Sequence, residues 1–318
     1  MNPGTDPLPS AAQPPDPPGL QPQPPPLPGP PPPNTAFCQI PGSQIPQYPS
    51  LPPLAGTDEF QIWGNGPPLV LVQGFPFSTY IWSEIAQTLA SRYTVYIWDI
   101  PIQENTLRKQ SRCLYLMLQR HFNLIPVNVV AHGVGAVLAL DACIQWGMRY
   151  RVLIPVSPII SAWKDPKFFL HAQKYTKILS RLPLRQHAAM VRDHISTASS
   201  QGLNSHLLHR LCLQWIASDA GQEAFYYQAG RALRFLEDSF SKANWGKIKG
   251  FPVHICWGGD DQWASEPDEN MLWDLILAYR DTEEQIIHQS RRLIVPAGHL
   301  VPLDAPRPLL VFIFACLL

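Results

Sequence analysis

The stretch Val129-Val130-Ala131-His132-Gly133-Val134-Gly135-Ala136 decides how the rest of the chain is read. Upstream of it, Pro126 to Ala131 is a short apolar, β-branched run of the kind that forms a strand buried on both faces. Downstream, Val134 to Trp146 changes to helical spacing, with Val137, Leu138, Leu140, Ala142 and Ile144. A strand therefore turns abruptly into a helix at residues 132 to 135. Holding a residue with a side chain at the apex of such a turn costs roughly 1 to 3 kcal/mol, and glycine avoids most of that cost. Gly133 suits the apex, while Gly135, flanked by Ala131 and Ala136, leaves room for close packing of helix on strand.

Working outward, apolar runs at Pro68 to Val72, Thr94 to Trp98, Val127 to Ala131, Val152 to Val156, Val253 to Trp257 and Arg292 to Val295 read as strands. The stretches between the first four suit crossover helices, which predicts an α/β fold: a mostly parallel sheet with helices on both faces. Sheets of this kind carry their sites at the carboxyl ends of the strands. After the first run comes Gln73-Gly74-Phe75-Pro76, where a glycine turn exposes backbone N–H groups. The N–H of Phe75 and that of Val134 would together form an oxyanion hole. After Trp257 comes Gly258-Gly259-Asp260-Asp261, which puts a carboxylate above the sheet, and after the last run Pro296-Ala297-Gly298-His299 delivers an imidazole to the same edge. A turn apex at 133, an acid at 261 and a histidine at 299 follow the chain order nucleophile, acid, base.

With these residues in hand, the region from 60 to 318 resembles the α/β-hydrolase superfamily. Gly64 to Pro76 is similar to its oxyanion region, Trp257-Gly258-Gly259-Asp260-Asp261 to its acid loop, and Ala297-Gly298-His299 with Leu303-Asp304-Ala305-Pro306 to its base loop and terminal helix. Val130-Ala131-His132 and the insert residues Ala224-Phe225-Tyr226-Tyr227 look most like the epoxide hydrolase and dehalogenase branch. The resemblance implies an aspartate or serine nucleophile at the turn apex, where this chain has Gly133. It implies a helical cap between core segments, so that 55–158 and 251–318 form the hydrolase core and 159–250 the cap. Three further departures stand out. Gln73 replaces the usual histidine and alters loop packing, Asp99 to Gln103 lacks the usual glycine turn, and residues 281 to 291 look like an insertion.

The cap segment carries 13 Lys and Arg against 6 Asp and Glu. That surplus would steer anionic substrates, or is simply a solvated helical surface. In the related branch cap tyrosines donate a proton to substrate, which makes Tyr226, Tyr227 and Tyr175 the corresponding candidates, with Tyr226 and Tyr227 as substrate-binding residues; on a helix such residues are more often core or rim. Ser157, after a different strand, reads as a turn hydroxyl rather than a substitute nucleophile.

Outside the core, the first 54 residues hold 21 of the 36 prolines and read as a proline-rich, disordered tail in polyproline II. Such a tail would dock WW, SH3 or profilin-like domains. No lysine or arginine occurs before Arg92, which argues against a secretory or mitochondrial leader and for a cytoplasmic protein. The six cysteines form no CxxC pair, so neither a zinc site nor a disulfide framework is indicated, and no metal or cofactor is expected. Zero formal net charge gives no warrant for nucleic acid binding. The apolar end, Leu309 to Leu318, is short of the roughly 20 residues of a membrane span and predicts a buried terminal helix.

Glycine has no side chain with which to attack carbon, so the covalent intermediate of either branch cannot form at this apex. Three functions fit the sequence: a noncatalytic protein that binds a small apolar molecule under the cap; an enzyme in which His299, oriented by Asp261, acts as general base without a covalent intermediate; and an interaction protein working through its proline-rich tail.

Overall fold

The computed structural model describes residues 60–101, 106–123, 125–160, 167–231, 246–248, 250–264, 266–278 and 290–318 of the chain. The proline-rich tail lies outside the described residues, as do most of the 281–291 insertion and positions 102–105. A seven-stranded sheet has the order β1-β3-β2-β4-β5-β6-β7, formed by Phe60–Trp63 (β1), Pro68–Val72 (β2), Thr94–Trp98 (β3), Asn128–His132 (β4), Val152–Val156 (β5), Ile255–Gly258 (β6) and Arg292–Val295 (β7). Six strands are parallel; β1 alone runs antiparallel, against β3. The six expected strands are present within a residue or two. β1 was not expected, because Phe-Gln-Ile-Trp is short and half-exposed at the sheet edge, so it lacks the apolar run that marks its neighbours.

β4 and β5 are buried at every position, as strands covered on both faces must be. Among the described residues six core helices accompany the sheet: α1 (Ser83–Leu89), α2 (Leu107–Phe122), α3 (Val134–Trp146), then, beyond the four-helix insert described next, α8 (Glu266–Ala278), α9 (Val301–Asp304) and α10 (Pro306–Leu317), with a 3-10 turn at Thr79–Trp82. They form two packed groups, α2 with α3 and α1 with α10. In α10 the side chains of Leu309, Phe312 and Ile313 are buried, so the apolar chain end is a core helix. No described helix is long and apolar enough to cross a membrane. Between β5 and β6 four helices pack together: α4 (Lys167–Leu179), α5 (Leu184–Ser196), α6 (Ser205–Ile216) and α7 (Asp219–Ala229).

One consequence of the strand order matters for function. The chain leaves β2 toward β3 on one side and reaches β4 on the other, so the crevice at the carboxyl ends of β2 and β4 is the topological switch point of the sheet. The loops after these two strands carry Phe75 and Gly133.

Candidate active site at the strand-to-helix turn

Gly133 has φ 54° and ψ −122°, a backbone conformation that L side chains rarely adopt, and α3 begins at the next residue. Its N–H donates to the Val156 carbonyl at 2.9 Å, which ties the apex to the neighbouring strand. The approach of the β2 loop is just as tight. A Cβ at Gly74 would lie 2.5 Å from the Val134 nitrogen, and one at Gly135 would lie 2.4 Å from the Gln73 carbonyl oxygen. Both positions need glycine because backbone meets backbone there. The two loops thus lock together, and the N–H groups of Phe75 and Val134 carry no hydrogen bond among the described residues. That is the condition an oxyanion hole requires.

Asp261 and His299 meet beside this turn. His299 Nδ1–H donates to Asp261 Oδ2 at 2.9 Å, with both side chains almost fully buried. The other carboxylate oxygen, Oδ1, accepts from the Trp263 N–H at 2.7 Å and the Ala264 N–H at 2.9 Å. Burial alone raises the Asp261 pKa, but the His299 imidazole and these hydrogen bonds outweigh it and hold the carboxyl below its ordinary value. The Nε2 of His299 is buried with no hydrogen-bond partner among the described residues. It points at the turn apex: a Cβ built on Gly133 would lie 3.0 Å from it. Asp261, His299 and the turn apex at Gly133 therefore stand next to one another.

His132 braces the base from below. Its Nε2–H donates to the His299 carbonyl at 2.8 Å, and the two rings lie 4.8 Å apart. Burial, reinforced by the neighbouring His299 charge, pushes its pKa down to about 3, so it is neutral at physiological pH.

Several residues that the sequence reading passed over hold the site in place. Trp263 stacks on His299 at 5.3 Å and donates its indole N–H to Thr197 Oγ1 at 2.9 Å, joining the acid loop to the end of α5. The next residues of that segment clasp the base loop: the Leu300 N–H donates to the Ala198 carbonyl, and the Asp304 carboxylate accepts from the N–H groups of Gly298 and Ser200 and from the Ser199 hydroxyl. From α6, Trp215 donates its indole N–H to the Pro76 carbonyl at 2.5 Å. The Trp215 and Phe75 rings meet edge to face.

The other sequence candidates sit elsewhere. Tyr226 is fully buried within the four-helix insert, its hydroxyl 3.3 Å from His187 Nδ1, and burial pushes its pKa up to about 12. Tyr227 is 37% exposed with Arg231 over its ring, and Tyr175 is 38% exposed at a kink in α4. The structure does not bring these tyrosines to His299. Ser157 has φ 43° and its hydroxyl accepts from the Gly258 N–H at 3.3 Å, so it serves the turn between β5 and β6. Gln73 donates to Asp99 at 2.7 Å and stays within the loop after β2. No cluster of His, Cys, Asp and Glu able to hold a metal occurs among the described residues.

Two cavities flank the site. The one lined by Phe75, Phe77, Val134, Trp215 and Gln228 has a volume of about 20 Å³, room for about one water. On the other side of Trp263, Phe168, Phe169, Met190, Asp193, His194, Thr197 and Gln262 line a partly open cavity of about 490 Å³. His194 lies flat between Phe168 and Trp263, at 3.9 and 4.6 Å, and burial pushes its pKa down to about 3.

Trp263 thus contacts His299, the Asp261 loop and α5 at once. Trp263→Ala is expected to destabilise the protein by about 3–5 kcal/mol, because the void it leaves merges with an existing cavity that cannot collapse. Urea unfolding checks this, and a loss under about 1 kcal/mol would show that the indole bears little of the packing.

No protein-family model matches the sequence. The chain is 23% identical over 241 residues, 63% of its length and 84% of the relative's, to the uncharacterized hydrolase YraK of Bacillus subtilis (strain 168). Among solved structures, an enol-lactonase from Burkholderia xenovorans LB400 superposes with TM-score 0.58 at 12% identity, over 81% of this chain and 95% of that one, a likeness of fold. An α/β-hydrolase fold protein from Burkholderia ambifaria superposes with TM-score 0.66 at 30% identity, over 80% of this chain and 92% of that one. With that identity across the switch-point sheet and its helical insert, the chain belongs to the α/β-hydrolase fold family.

Proposed function

We propose that this protein binds a small, mainly apolar molecule beneath its cap and does not turn over esters or epoxides by the covalent route of its relatives. The observation that carries the reading is the gap at Gly133: the acid, the base and two free backbone N–H groups surround a position with no attacking atom. A triad acts as a unit, so the loss of its nucleophile costs on the order of 10⁶ in turnover. The cavity beside the oxyanion N–H groups also holds about one water and no substrate. By contrast, the cavity behind Trp263, at about 490 Å³, falls within the roughly 300–1,000 Å³ of small-molecule sites, with four aromatic rings in its wall and Asp193, Thr197 and Gln262 as its polar groups. It is the better seat for a ligand.

The wild-type protein is expected to remain unlabelled by fluorophosphonate probes and to give no burst with p-nitrophenyl esters. Flat apolar compounds are expected to quench tryptophan fluorescence and to raise the Tm. An acyl-enzyme burst would overturn the noncatalytic part of the reading, and fluorescence and Tm unmoved across such a compound series would overturn the binding part.

One observation favours a second reading. A buried imidazole nitrogen without a partner is costly to leave unmade, and His299 Nε2 is such a group, already oriented by Asp261. Under this reading His299 takes a proton from water or from an acidic substrate directly. Turnover abolished by His299→Ala, with no covalent adduct at any time, would select it over the first.

A further inference from the structure

We infer that the outer face of α4 and the start of α5 forms a docking surface for an anionic lipid bilayer. From Lys167 through Arg192 the chain carries six Lys and Arg (167, 174, 177, 181, 185 and 192) and no Asp or Glu. Along α4, Lys167, Leu170, His171 and Lys174 recur at helical spacing on one exposed face before the kink at Tyr175, and Lys177, Ile178 and Arg181 are exposed just beyond it. The apolar members are open to solvent: Ile178 is 64% exposed and Leu170 49%, with Leu184 at 38% just beyond. Single exposed aliphatic residues are ordinary on a protein surface, but three of them gathered among five exposed basic residues within about twenty positions make a patch. A second copy of the chain seated on this face would have to match its basic residues with acids, and α4 and α5 together carry a single acid, Asp193, toward the end of α5.

Basic residues interleaved with exposed aliphatic ones suit the boundary between lipid headgroups and acyl chains. The ammonium and guanidinium groups meet lipid phosphates and carboxylates, while Leu170, Ile178 and Leu184 enter the first few ångströms of the apolar layer. Lys and Arg stems reach outward across such a boundary without burying their charge. The same helix turns Phe169 inward to the wall of the 490 Å³ cavity, so its two sides serve different partners. This inference rests on the surface alone and stands independently of the ligand reading.

Vesicle co-sedimentation of the full chain tests it. Binding to phosphatidylcholine vesicles containing phosphatidylserine is expected, with weak binding to phosphatidylcholine alone and progressive loss as salt rises. Each basic residue near an anionic surface strengthens partitioning roughly fivefold, so the triple variant Lys174→Glu, Lys177→Glu, Arg181→Glu is expected to bind at least about a hundredfold more weakly. Ile178→Ser is expected to weaken binding at unchanged net charge. All four positions are exposed, and circular dichroism of each variant checks that its fold is kept. Equal binding to both vesicle types, or binding unchanged in the triple variant, would overturn the inference. So would a dimer in light scattering that the triple variant disperses, since the face would then be covered by a second copy.

Discussion

Gly133→Ser is expected to confer covalent chemistry on this protein: labelling by fluorophosphonate and a burst with p-nitrophenyl acetate at least about 10²- to 10³-fold above wild type. The backbone already has φ 54° and ψ −122° at the apex, so a serine hydroxyl would project from it between the base and the two unpaired N–H groups. Two features limit the gain. A side chain at this φ costs roughly 1–3 kcal/mol of strain, which should appear as lost stability. The new Cβ would also lie 3.0 Å from His299 Nε2, tighter than ordinary contact, and the ring is held by Trp263 and His132, so it must give by a few tenths of an ångström. For that reason the full factor of about 10⁶ associated with a native nucleophile is not expected. Adding Asp261→Asn should remove most of the gained rate, by analogy with the roughly 10⁴-fold loss when a protease triad loses its carboxylate. A folded Gly133→Ser protein with no labelling would mean that the base or the oxyanion N–H groups are not competent, and that more than one atom separates this site from an active one.

That experiment is framed by what the sequence makes legible. The parallel strands are visible because β-branched runs such as Val127 to Ala131 have no use other than a strand buried on both faces, and the turn apex is visible because Gly133 and Gly135 stand where such a run changes to helical spacing. Asp261 and His299 follow because each sits just past a strand, where the sheet geometry delivers side chains to one edge. The contacts that fix the base are not local. Thr197 with Trp263, Ala198 with Leu300 and Trp215 with Pro76 are each separated by 66 residues or more, and nothing in the spacing of either partner announces the other. The aromatic run Phe225-Tyr226-Tyr227 illustrates the same gap from the other side. Its composition suits a substrate wall, but the rotation of α7 sends Tyr226 toward His187 and leaves Tyr227 at the surface, a choice made by packing among four helices. Local pattern names the elements; which face meets which partner is decided between them.

The protein is expected to lose at least about 4 kcal/mol of stability between pH 7.5 and pH 5, a large share of the 5–15 kcal/mol typical of a folded domain. The origin is a pair of histidines folded in the neutral form. Burial, then the adjacent His299, pushes His132 down to about 3, and burial, then Arg291, pushes His254 down to about 4. Both are almost inaccessible to solvent, at 0% and 2% exposure. Their hydrogen bonds favour the neutral ring as well: His254 Nδ1 accepts from the Arg291 N–H at 3.0 Å, and His132 already spends its Nε2–H on the His299 carbonyl, leaving Nδ1 in a site with no partner. In the unfolded chain each has an ordinary pKa near 6.5. Below that value the unfolded state binds protons that the folded state refuses, so stability is complete above about pH 6.5 and falls as the pH drops toward the folded values. At pH 5 each ring has crossed about 1.5 pH units of this window, or about 2 kcal/mol. His194, shifted down to about 3 between Phe168 and Trp263, acts in the same direction. Asp261 does not contribute here: its depressed pKa stabilises the fold above the ordinary carboxylate value and is lost only at lower pH. Urea midpoints at pH 7.5 and 5 measure the slope, and His132→Gln, whose amide can keep the hydrogen bond to the His299 carbonyl without titrating, should remove about 2 kcal/mol of it. A midpoint that holds steady between the two pH values would mean that these rings take up protons in the folded state, and that the floor beneath His299 is more open to water than its packing implies.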